Sequence, residues 1–204
     1  MLNDIVALLR LTLRDTRAAF RALLDVAPTA EARWLGFGIV VLLSVVLTQL
    51  ALLGVPDEAL PPFMAAMRGP VSGVVTQGVT VLALAFGASV VARLFGGTAR
   101  FIDALWLVVW IEFVLVVIEV AVLVVALVLP PLADMLGLAG IVIFFLLLTR
   151  AVMFLNGFRQ AALVLVGIIA FMIVGGVVLV FVLSALGFVA LPPLPSGAAT
   201  LGMN

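Results

Sequence analysis

The sequence predicts an all-α fold: a polytopic helical bundle of five transmembrane helices preceded by an amphipathic helix that lies at the membrane interface. Three observations carry this. Of 204 residues, 67% are hydrophobic, against about 45 to 50% in a soluble globular domain. The charged residues, ten of each sign, leave long runs untouched, and bilayer-spanning backbone must close its own hydrogen bonds, which favours helices. The cations are all Arg and are unevenly distributed along the chain.

The composition excludes whole classes of chemistry. With no Cys, His, Tyr or Lys, there are no disulfides, thiolate nucleophiles, Cys or His metal sites, Schiff-base lysines or histidine bases. No metal site, no cofactor and no enzymatic activity are expected. Zero net charge without a long Arg run gives no footprint for nucleic acid. Arg-only cations with abundant Ala, Val, Leu and Gly fit a GC-rich bacterial genome.

Residues 1–33 form the N-terminal segment. Within 2–25, Leu2, Ile5, Val6, Leu9, Leu13, Phe20, Leu23 and Leu24 fall in one arc of about 100° on a helix. Arg10, Arg14, Arg17 and Arg21 edge that arc, as in a helix that sinks its stripe into the acyl boundary while its arginines reach lipid phosphates. Such a face serves either as a rest on the bilayer and bundle or as a dock for a soluble partner.

The spans follow in residues 34–190, at about 35–54, 71–92, 104–129, 135–157 and 161–187, each near the roughly 20 residues needed to cross a core of about 30 Å. The fourth is charge-free only from Met135 to Thr149, so it is either re-entrant or continues through Arg150. Short cytoplasmic loops are enriched in Arg, and this decides the matter. Five crossings with a cytoplasmic N-terminus put nine arginines inside and Arg68 alone outside; without the fourth crossing, Arg150 and Arg159 move out and the split falls to seven to three. Trp34, Trp106 and Trp110 fall at the cytoplasmic ends of spans, where indoles anchor at headgroup level. Residues 191–204 are a Pro-rich tail, predicted to be periplasmic.

Two acids interrupt the third span. Glu112 and Glu119 are seven residues apart and share a helical face. Insertion stays favourable, because 19 Leu, Ile, Val or Phe residues at about −0.3 to −0.6 kcal/mol outweigh about +2.5 to +3.5 kcal/mol per acid. Depth counting puts Glu112 about 12 Å and Arg150 about 10 Å from the same membrane face, and Glu119 level with Gln49 and Gln77. The expectation is a Glu112–Arg150 ion pair and a Glu119 cluster with Gln49 or Gln77. This polar set serves as an ion or proton path or as glue between helices brought close by small residues such as Gly87.

The loop between the second and third spans reads RLFGGTARFIDALWLVVWIEF. Gly96 and Gly97 permit a tight turn with positive φ, Asp103 can cap the next helix, and Phe101 opens it. This stretch resembles the signature of the Yip-one (Ypt-interacting protein) family of multi-spanning membrane proteins. LRDTRAAFRALLD is similar to that family's bacterial N-terminal segment, with Thr16 where Pro is common, and LNGFRQAALVLV resembles the basic turn before its last span. The resemblance covers about residues 10–190. It implies a bacterial inner-membrane protein whose partners are the lipid bilayer and a second copy or another membrane protein. Eukaryotic members are linked to Rab-type GTPases through a longer cytosolic region than the 33 residues here, and that role is not carried over.

The functional expectation is therefore a non-enzymatic, membrane-organising or partner-binding scaffold. The alternative is a small ion or solute transporter or channel subunit using Glu112, Glu119 and Arg150.

Overall fold

A computed structural model describes residues 2–185 apart from 27, 54, 57–59, 61–63, 65–67, 95–96 and 98–99. The Pro-rich tail at 191–204, Gly96 and much of the loop after the first span lie outside the described residues. Among those described there are seven helices and no strand: α1 (Leu2–Arg14), α2 (Thr16–Asp25), α3 (Ala30–Ala51), α4 (Pro70–Leu94), α5 (Phe101–Ala126), α6 (Pro130–Asn156) and α7 (Ala161–Ala185). Helices α3 to α7 are each long and apolar enough to cross a membrane. The chain is a multi-pass, all-α membrane protein.

Local chemistry sets the boundaries. α3 starts at Ala30, ahead of the predicted residue 35, because Thr29 caps it by accepting from Ala32 N at 3.2 Å. α6 starts at Pro130 rather than 135, since proline is tolerated in the first helical turn, where its missing N–H has no partner to lose. It then runs unbroken through Arg150 to Asn156, 27 residues in all, so the fourth run is a full-length helix and not a re-entrant segment. Gly157 ends it in the left-handed region at φ 68°, the conformation that glycine adopts without steric cost.

The amphipathic segment is two helices where one was predicted. Asp15, at φ −141°, is not helical; its carboxylate accepts from Ala18 N at 3.0 Å and starts α2 afresh.

α5 is the central helix, packed against α3, α4 and α6. Its first half is buried nearly all round, from Ala104 to Val116. α3 and α5 run the same way, linked by Arg33 with Asp103 at 2.6 Å and by Trp106 seated over Gly36. α4 and α6 run against them. The starts of α3, α5 and α7 and the ends of α4 and α6 therefore gather at one end of the bundle. Arg33, Arg93, Arg100 and Arg159 lie there, Arg150 lies toward it, and α1 and α2 dock there; Arg68 stands at the opposite end, donating to the Val55 and Leu52 carbonyls past the end of α3. Large exposed side chains such as Leu42, Val124, Ile141 and Phe181 cover the outer faces, the arrangement expected where acyl chains replace water.

Candidate functional site

Two polar centres emerge, one inside the bundle and one where α1 and α2 meet it. The inner centre is built on α5. Glu112 is buried, 8% exposed, and Glu119 is half-buried. Gln77 of α4 donates its Nε2 hydrogen to Glu112 Oε2 across 3.5 Å, a long bond that ties α4 to α5. Both carboxylates face one cavity of about 460 Å3, together with Gln77 and Thr80. Its remaining wall is apolar, with residues such as Leu84 of α4, Leu115 of α5, Phe144 of α6 and Met172 of α7. Gly140 in this wall keeps α6 close to α5, for a Cβ there would meet Ile118 at 3.3 Å. The arrangement joins helices by hydrogen bonds and offers two acids to a cation entering the cavity.

Of the two expected partnerships, one is corrected. Arg150 does not pair with Glu112; its Nη1 donates to Thr16 Oγ1 of α2 at 2.7 Å. The depth estimate carried no azimuth. Leu147, Leu148, Ala151 and Val152 face the bundle, and Arg150 lies about 130° from the centre of that face at 100° per residue. Gln77 shares its cavity with Glu119, while its hydrogen bond goes to Glu112. Gln49, the other partner considered for Glu119, borders a separate pocket with Arg68. Asp103 also departs from expectation. α5 has no side-chain cap, and the Asp103 carboxylate accepts from Arg33 instead.

The second centre was not anticipated as such. Thr12 and Thr16 are buried, at 1% and 2% exposure, and each hydroxyl proton goes back to the carbonyl four residues earlier, on Leu8 and Thr12. Their free lone pairs face the bundle: Trp110 Nε1 donates to Thr12 Oγ1 at 3.0 Å and Arg150 to Thr16. Trp106 Nε1 donates to the Leu23 carbonyl at 3.2 Å. These two indoles thus bind the N-terminal helices rather than headgroups, while Trp34 stays exposed. Phe20, fully buried, packs on Phe154 of α6 with ring centroids 6.0 Å apart. The sequence did hold a signal, a Thr at i and i+4 amid an apolar stripe, where lipid contact alone would favour no hydroxyl.

Docking uses only part of the stripe. Ile5, Val6 and Leu13 of α1 stay exposed, and so do Arg10, Arg14, Arg17 and Arg21. Of the turn singled out by sequence, Phe101 begins α5 against the core and Gly97 is half-buried. No protein-family model, curated protein or solved structure matches this chain.

Proposed function

We propose that this protein is a non-enzymatic scaffold of the bacterial inner membrane, with the N-terminus cytoplasmic and the C-terminus periplasmic. On this reading it organises the membrane, or assembles with a second copy or another membrane protein, through the basic face of α1 and α2. The observation that carries the reading is where the polar side chains of the bundle go: Trp106, Trp110 and Arg150 fasten the N-terminal helices, and Gln77 fastens α5 to α4. Arg150 is thereby turned away from the glutamates, so the three do not form one polar chain through the bilayer. The arginine asymmetry supports the orientation, and the resemblance to the Yip-one family is consistent with five spans and a short cytoplasmic head.

One observation favours the alternative, a small cation transporter or channel subunit: both acids line one cavity. A single experiment separates the two. Glu112→Gln with Glu119→Gln keeps side-chain shape and removes charge. In liposomes, the scaffold reading expects proton and sodium flux equal to that of protein-free vesicles for wild type and variant alike. It also expects thermal stability to change by no more than about 1 kcal/mol, because a glutamine at position 112 still accepts from Gln77 Nε2 through its amide oxygen. Flux in wild type that vanishes in a folded double variant would establish the path instead.

A further inference from the structure

A cavity of about 600 Å3 opens between the α1–α2 junction and the end of α6. Four guanidinium side chains border it: Arg14 and Arg17 from the N-terminal helices, Arg150 from α6, and Arg159 from the turn before α7. One acid, Asp15, shares the border, and it is occupied in capping α2 through Ala18 N. Among the described residues, none of these four arginines has a carboxylate within 4 Å. Four guanidinium groups against the one carboxylate of Asp15 leave an excess of positive charge around the concavity, which a bound anion relieves.

The geometry prepares Arg150 for such an anion. The Thr16 hydroxyl gives its proton to the Thr12 carbonyl, so its oxygen can only accept, and it holds Arg150 by one Nη1 hydrogen. A guanidinium carries five N–H donors, which leaves the others to a ligand. Met153 and Phe154 supply an apolar wall beside the charges. Planar guanidinium groups match phosphate oxygens in bidentate fashion, and an apolar wall suits the glycerol and first methylenes of a lipid.

We propose that this cavity is a binding site for a phosphate ester. The chemistry is shared by an anionic phospholipid headgroup and by a soluble phosphate, and it holds whether the protein is a scaffold or a transporter. The full chain, purified in mild detergent, is titrated with short-chain phosphatidylglycerol and separately with inorganic phosphate, with occupancy read by native mass spectrometry. Wild type binds one phosphatidylglycerol saturably, and Arg150→Gln with Arg159→Gln weakens it at least about tenfold, the loss expected when charge-assisted hydrogen bonds go. Competition by inorganic phosphate assigns the site to soluble phosphates; its failure to compete assigns it to the lipid headgroup. If the double variant elutes as aggregate, Arg14→Gln with Arg17→Gln, at exposed positions, carries the same expectation. Equal affinity in wild type and in a folded variant, or binding of neither probe by wild type, overturns the proposal.

Discussion

Phe20→Ala is expected to release α2 from the bundle. The ring is fully buried against Phe154, and truncating such a phenylalanine costs about 3 to 5 kcal/mol through lost transfer energy and the cavity left behind. What remains to hold α2 is the burial of Ala19 and Leu23 and the hydrogen bonds from Arg150 and Trp106, each bond worth about 1 to 3 kcal/mol at most. The loss removes the largest buried side chain of α2 and multiplies the undocked fraction of this helix by about two to three orders of magnitude. Limited proteolysis in membranes checks this: cleavage within residues 15–26 should accelerate by orders of magnitude, while α3 to α7 stay protected, because their own packing does not involve the ring. A variant with unchanged cleavage would mean that α2 is held by something other than Phe20.

The second large effect lies between α4 and α7. A Cβ on Gly87 would clash with Phe171 Cε1 of α7, far inside van der Waals contact. α4 and α7 meet at this point because one side has no side chain and the other fills the gap with a ring. Gly87→Leu should lower bundle stability by about 1 to 3 kcal/mol, the usual cost of overpacking. It acts by displacing α7, which has few other buried anchors, Val164 and Ile168 among them. Phe171→Ala placed in the same chain should restore part of that stability, giving a favourable coupling in a double-mutant cycle. Thermal unfolding in detergent measures all three variants. Additive losses would show that the two residues do not share the contact.

The fold class could be read from the sequence because the bilayer leaves so few solutions. A chain this apolar must close its backbone hydrogen bonds within each span, so span count follows from run length and arginine position. Arg150 shows the strength and the limit of that reasoning. Its charge argued for a crossing that continues through it, and α6 does so. Its depth, however, said nothing about which way it points, and it meets Thr16 rather than Glu112. Axial counting places residues along a helix, whereas partnership needs the rotation of each helix about its own axis. That rotation is set by the packing of all five.

Glu112 and Glu119 fared better, since a seven-residue spacing on one helix fixes azimuth internally, and both do face one cavity. Trp110 was misread for a different reason. An indole near a span end satisfies its N–H equally well from a headgroup or from a buried hydroxyl, and only the docking of α1 decides between them.

α1 and α2 are an integral part of the bundle, fastened by Thr12, Thr16 and Phe20, and not a helix lying separately in the lipid interface. The absence of native Cys makes it directly measurable: Arg17→Cys and Arg159→Cys, both at exposed positions on the rim of one cavity, are spin-labelled and their separation is read by double electron–electron resonance in lipid bilayers. A docked α2 gives one narrow distribution at the short end of the measurable range. A broad distribution extending to long distances would contradict the claim.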